Sequence, residues 1–299
     1  MQKRRSYKGI GFWLLTMVMA LTMGAGLQTG CSKVNATEIT SVSYMDTDGT
    51  EKTIDSTKVI EVTEATTELS GSTEESVWYV VKAGTSITTG TADKAVRISV
   101  TGKVNLILED GAIWTANGGI GIEDNGVFTV YGQKAGTGTL IAQNVGKHNS
   151  GIGAGKSSGN NAQIILNGGE IISTGGEDAA GIGIGTNRNK STSVTITIDG
   201  ANVTAAGGTD SHGSGAGIGG GGGLAKSGDK VQVIIKKGIV KATGGSYGAG
   251  IGSGDDRADV DLLICGGEIT AIGGFRGSGI GGTESAENDN QTLNIIINV

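Results

Sequence analysis

The sequence predicts an all-β protein, a right-handed parallel β-helix with three sides, about 30 residues per rung and a short N-terminal β cap. Three observations carry this expectation. The tripeptide Gly-Ile-Gly recurs with its Ile at 120, 152, 182, 218, 251 and 280, at spacings of 32, 30, 36, 33 and 29 residues. The complete middle units each end in Gly-Gly, at 175–176, 207–208, 244–245 and 273–274, so they can be registered on one another. The runs in between are β-branched and alternating, without the 3.6-residue period that a helical or leucine-rich solenoid needs.

Registering the units places like residues in columns. Val194, Ile196 and Ile198 alternate with Thr195 and Thr197, which assigns the aliphatic set to the inside. The same inward positions hold Ala162, Ile164 and Leu166, then Val231, Val233 and Ile235, then Val260, Leu262 and Ile264. Asn167, Asp199, Lys236 and Cys265 follow these runs, each with a Gly within two residues, and mark a corner that tolerates positive φ. Beyond the corner, Ile171, Val203, Val240 and Ile269 share one column, and Ser173, Ala205, Ala242 and Ala271 share a column of small side chains. With a third short strand around Gly-Ile-Gly, six such rungs would form a rod roughly 30 Å long. Each rung buries its inner face only against its neighbours, so isolated units should not fold.

Residues 1–36 read as an export signal. Lys3, Arg4, Arg5 and Lys8 precede an apolar stretch from Ile10 to Leu27, and Val34-Asn35-Ala36 offers a cleavage site after Ala36. Thr29-Gly30-Cys31 resembles a lipobox, although Gln28 stands where an aliphatic residue is expected; lipid attachment at Cys31 is the alternative. Residues 37–76 lack the repeat and read as an N-terminal β segment or cap, with Leu69–Ser76 as a turn. The repeats then run over 77–299, with Trp78 as a capping core residue. Leu293, Ile295 and Ile297 match the inward positions of a new rung, yet the chain stops at Val299. That pattern reads as a fragment, or as a last rung covered by a protein partner.

Composition narrows the function classes. Of 299 residues, 57 are Gly and none is Pro, and the absence of a Gly-X-Y period excludes collagen. Abundant Val, Ile and Thr exclude a Gly-rich disordered linker. The 23 Lys and Arg include five within residues 1–36, which contain none of the 29 Asp and Glu; the remainder therefore carries 18 basic against 29 acidic side chains, a net charge of −11. Such a surface argues against nucleic acid and against anionic lipid headgroups, and no membrane insertion of the mature chain is expected. Removal of Cys31 would leave Cys265 alone, with no intrachain disulfide.

From Trp78 onward the order of motifs is specific. Trp78-Tyr79-Val80-Val81, Leu106-Ile107-Leu108-Glu109-Asp110-Gly111-Ala112 and Thr115-Ala116-Asn117-Gly118-Gly119-Ile120 precede Val130-Tyr131-Gly132-Gln133-Lys134-Ala135-Gly136-Thr137-Gly138 and the Gly-Ala-Gly-Ile-Gly units. Over about 220 residues this resembles the Gly-rich repeat region of large exported surface proteins of gut Firmicutes and related anaerobes. Those proteins are described as adhesin-like or carbohydrate-binding-domain-containing. The resemblance implies an extracellular or cell-surface β-helix.

Catalysis is tested against the pectin-degrading enzymes that use such rods. Asp255-Asp256 and His212-Gly213 superficially match the paired Asp and the His-Gly of polygalacturonases, and inverting hydrolysis needs two carboxyls flanking the bond. The order is reversed here, however, and both motifs lie in variable loops. No enzyme activity and no cofactor are expected. His148 and His212 lie about two rungs apart, which disfavours a zinc site. Asp255, Asp256, Asp259 and Asp261 supply oxygen ligands for Ca²⁺ but without the repeated calcium nonapeptide. The run Gly219–Gly223 lacks the Lys and the strand–helix context of a phosphate loop, and Cys265 reads as an inert thiol.

Binding has better candidates. Asp178, Tyr247, Phe275 and Arg276 occupy loops of the repeat, where Tyr247 and Phe275 lie in neighbouring rungs and could form a small sugar platform. Ile165, Ile234 and Leu263, with Thr197 and Ile296, form an outward column that is aliphatic where water is expected. Such a column marks either an interface or a strip covered by another part of the chain. The expected function is a non-catalytic adhesin-like or glycan-binding module for extracellular polysaccharide or host glycan. A structural spacer and a pectin-type lyase or hydrolase are the alternatives.

Overall fold

A computed structural model describes residues 40–144, 146, 148–155, 158–186, 191–208, 214–222, 228–255, 258–283 and 293–298. They belong to one compact unit, Ile39–Val299. Residues 1–39, with the expected export signal and Cys31, lie outside the described residues. The fold is all-β and its strands stack in parallel as a β-helix; the one helical element among the described residues is a 3-10 turn at Ser56–Lys58.

Three faces close around the core. The first stacks Val59–Glu61, Val77–Val81, Lys103–Leu108, Val127–Gly132, Ala162–Leu166, residues 193–198, residues 230–235, Asp259–Ile264 and Leu293–Ile297. The second stacks Ser86–Thr89, Ile113–Ala116, Thr139–Gln143, Glu170–Thr174, residues 202–206, residues 239–243 and Glu268–Ile272. The third begins at Glu68–Ser70 and Ile98–Thr101 and continues through the Gly-Ile-Gly strands. There Ile120, Ile152, Ile182, Ile218, Ile251 and Ile280 pair in order, so the sequence period is the rung itself. Nine described strands on the first face span roughly 40 Å at about 4.8 Å per step, longer than the Gly-Ile-Gly count implied. The extra length comes from early rungs that lack the signature: Ile98-Ser99-Val100 occupies the position later taken by Gly-Ile-Gly.

The inward columns are as the alternation required. Val104, Phe128, Ile164, Ile196, Val233 and Leu262 stack along one line and are all buried. On the second face Trp114, Leu140, Ile171, Val203 and Val240 form another, and buried Trp114 donates its indole N–H to Thr89 Oγ1 at 3.1 Å. The column of small residues has a physical reason. The third face passes close by, and Ser173 Oγ already reaches Gly181 O at 2.7 Å. On that face a Cβ on Gly183, whose φ is 137°, would overlap the carbonyl oxygen of Gly219 in the next rung.

The corner between the first two faces differs from the expectation in one respect. Strands Ser193–Ala206 and Lys230–Thr243 run through it unbroken, with a register shift at Asp199, so the corner is a β-bulge and the two faces form one folded sheet. The positive φ falls on the following glycines, such as Gly200 at 124° and Gly238 at 114°, and not on Asp199 or Lys236.

The N-terminal segment is more integrated than a cap followed by a turn. Val59–Glu61 and Glu68–Ser70 are already strands of the first and third faces, and Leu69 is wholly buried. Upstream, Ser41–Met45 and Glu51–Asp55 form an antiparallel hairpin. It packs Val42, Tyr44 and Ile54 onto the outer side of the first face, against Trp78, Val80, Ile107 and Tyr131. Tyr44, Trp78 and Tyr131 form an aromatic triangle with centroids 4.8, 4.9 and 5.4 Å apart, and burial raises the phenol pKa of Tyr44 and Tyr131 above the ordinary value. Trp78 therefore belongs to this outer cluster, whereas its neighbour Tyr79 enters the core of the rod.

Candidate functional site

The loops that enter the third face are built by backbone stacking. Gly245 N–H donates to Gly215 O at 3.0 Å, and Gly274 N–H donates to Gly248 O at 3.0 Å. Close approach leaves no room for side chains at these glycines, so the residues between them project outward. Arg276 follows Tyr247 by 29 residues, the offset that pairs Ile251 with Ile280, which sets it over Tyr247 on the next rung. Its guanidinium carbon lies 5.9 Å from the centroid of Tyr247 and 5.9 Å from that of Phe275. Both distances are within cation–π range. Phe275 is 85% exposed, Arg276 is exposed and Tyr247 is half-buried.

Asp178 does not join them. It shares the position of Tyr247 and Arg276, four residues before the Ile of its Gly-Ile-Gly, but lies two rungs before Tyr247 and three before Arg276, about 10 and 14 Å along the rod. It is buried with φ at 61°, and its carboxylate lies 3.9 Å from Nδ1 of His148, the residue at that position one rung earlier still. The loop position thus carries His148, Asp178, Ser214, Tyr247 and Arg276 in succession. That column was readable from the repeat register; the engagement of Asp178 with His148 was not, because it depends on which neighbour is nearer.

The outward aliphatic column is continuous in register: Ile165, Thr197, Ile234, Leu263 and Ile296 pair one after the other. The first four are half-buried and Ile296 is 58% exposed. Toward the end of the rod a groove of about 630 Å³ runs over Ile234, Leu263 and Ile296, edged by Gln232, Asp261 and Asn294. Asn294 donates to Asp261 Oδ1 at 2.7 Å, so the polar edge is tied across two rungs.

Of the catalytic and metal candidates, His148, Asp255, Asp259, Asp261 and Cys265 are described. His212, Asp256 and Gly223 lie outside the described residues. Asp255 is anchored by its own N–H to Ser214 O at 2.9 Å, while Asp261 sits on the first face beside Asn294. No group of three or more metal-ligating side chains occurs among the described residues. The glycine run is held in the loop stack, with Gly222 N–H donating to Asp178 O and Gly222 O accepting from Thr186 Oγ1. Cys265 is an exposed free thiol at the corner.

Two charges, buried Asp229 and half-buried Arg97, escaped the sequence reading. Asp229, which precedes strand Lys230–Thr243, is buried and accepts the Thr192 N–H at 2.6 Å; burial pushes its carboxyl up to about 6 against that hydrogen bond. Arg97 lays its guanidinium over Gly121, where a Cβ would come within 2.6 Å of its Nε. It donates to the carbonyls of Gly118, Ile120, Ser150 and Gly153, and burial lowers its pKa to about 10. A Gly at position 121, aligned with Ser99, was the only trace of this contact in the sequence.

Comparison with protein-family models, curated proteins and solved structures returned no match.

Proposed function

We propose that the chain is an exported or cell-surface β-helix that binds glycan without turning it over, in the manner of an adhesin. The observation that carries this reading is the contact of Arg276 with Tyr247 and Phe275 on successive rungs. An exposed aromatic face suits the C–H side of a pyranose, and a guanidinium beside it supplies directional donors. The rungs beneath are rigid ladders, so the three side chains are presented at a fixed spacing. The export signal read from residues 1–36 and the resemblance to adhesin-like surface proteins support the same reading.

The test is retention of the purified chain on an array holding pectin and mucin glycans, with product analysis alongside. Saturable retention without released oligosaccharide is expected, and Phe275→Ala should weaken it about five- to tenfold, the worth of one stacking contact. Released oligosaccharide would replace this reading with an enzyme. A second reading, a spacer within a larger surface assembly, is favoured by exposed Ile295, Ile296 and Ile297 on the last described strand, which offer an edge for a stacking partner.

A further inference from the structure

We propose that the Tyr247–Arg276–Phe275 stack selects sugars that carry a carboxylate, uronates or sialates, over neutral ones. The proposal rests on the glycan-binding reading above and specifies its ligand class.

The separation of Asp178 from the stack changes its chemistry. With that carboxylate beside it, Arg276 would be neutralised and the site would offer mixed donors and acceptors to neutral hydroxyls. Instead Asp178 lies next to His148, three rungs before Arg276, and Arg276 makes no ion pair among the described residues. Some cations of the rod and hairpin are paired instead: Lys52 with Asp46, Lys82 with Glu109 at 3.3 Å, and Lys236 with Asp199 at 3.1 Å. Nor does the Arg276 side chain donate a hydrogen bond to any described residue. Both rings lie within reach of the guanidinium, and none of its five N–H donors is taken by a described residue.

A planar fork of donors matches a carboxylate in bidentate fashion, which a hydroxyl cannot reproduce. A uronate or sialate ring presents that carboxylate at the rim of an apolar C–H face, the combination that Arg276 and Phe275 offer side by side. The remainder of the chain opposes loose attraction of polyanions, since residues 37–299 carry a net charge of −11. Retention of an acidic glycan therefore reports a local site and not a general basic surface.

The experiment immobilises polygalacturonate and polysialic acid beside their neutral counterparts, methyl-esterified polygalacturonate and carboxyl-reduced polysialic acid, and measures retention of the purified chain. At least tenfold tighter retention on an acidic polymer than on its neutral form is expected, and which acidic polymer prevails names the source. Arg276→Gln should cut acidic retention about tenfold, to the neutral level, and Arg276→Lys should recover it only in part because the ammonium lacks the fork. Thermal melts of the variants check that the rod is intact. Equal retention on acidic and neutral forms, or acidic retention unmoved by Arg276→Gln, would overturn the selectivity while leaving glycan binding in place. No retention on any surface would overturn both.

Discussion

The outer side of the first face is covered by the hairpin at one end of the rod and, among the described residues, uncovered at the other, although one register line runs through both. Trp78, Asn105 and Thr129 begin the column that Ile165, Thr197, Ile234, Leu263 and Ile296 continue. At the N-terminal end the hairpin lays Val42, Tyr44 and Ile54 over that face, so its outward side chains join a second small core. At the far end the same face carries a groove of about 630 Å³. Outward aliphatic residues on a β-helix are therefore not one class: their environment depends on whether a distant segment folds back on them.

The largest effect should come from residues of that one column. Trp78→Ala removes one corner of the aromatic triangle and should cost about 3 to 4 kcal/mol, the range for deleting a large packed aromatic. Leu263→Ala, in the uncovered part, should cost under about 1 kcal/mol. Urea denaturation of both variants checks the contrast, and similar losses at the two positions would mean that the far end is covered as well.

Acid should then move the two ends in opposite directions. The Asp229 carboxyl, raised to about 6, makes the folded state bind a proton more tightly than the unfolded chain. Its contribution to stability is full below the ordinary value near 3.8 and is lost as pH rises through about 6, a change of roughly 2 to 3 kcal/mol. Asp229→Asn should flatten that slope in a pH series of denaturation midpoints. In the hairpin the sign reverses. Asp46 is held below its ordinary pKa first by the hydrogen bond from Lys52, Asp48 by the Thr50 hydroxyl and N–H, and Asp55 by the Thr57 N–H and hydroxyl. Their support is present above the ordinary carboxylate range and disappears as pH falls through the lowered values. Hydrogen exchange at pH 7 and pH 3 should show hairpin amides losing protection on acidification while those around Thr192 and Lys230 keep theirs.

The smallest effect probes how the hairpin is tied down. Gln133 donates to Ser43 O at 3.1 Å and accepts the Asp110 N–H at 2.9 Å, linking hairpin and rung. Gln133→Ala should cost about 1 kcal/mol and should raise exchange in Ser41–Met45 without altering the middle rungs. Uniform loss of protection along the rod would show instead that hairpin and rungs unfold as one unit.

The repeat was legible because stacking makes it so. In a solenoid each residue meets mainly its counterpart one rung away, so the alternation in Val194, Ile196 and Ile198, the small column at Ser173 and Ala205, and the glycine of Gly-Ile-Gly all report contacts that recur. The meeting of Tyr247 with Arg276 followed from the same logic, since they lie on adjacent rungs at matching register, with Phe275 next to Arg276 in sequence. Legibility failed wherever the repeat is broken. Strands Val59–Glu61 and Glu68–Ser70 entered the rod without its signature.

By itself, then, the sequence determined the parallel stacked architecture, the inward columns and the register of the loop position that carries the candidate site. Only the tertiary structure decided where the hairpin docks, that Trp78 meets Tyr44 and Tyr131, that Arg97 lies across Gly121, that Asp229 is buried, and that Asp178 faces His148 and leaves Arg276 to the aromatic rings. The physical reason is the range of the contacts. A repeating nearest-neighbour contact is written once per rung and can be read as a period, whereas a contact made once between distant segments leaves no period to read.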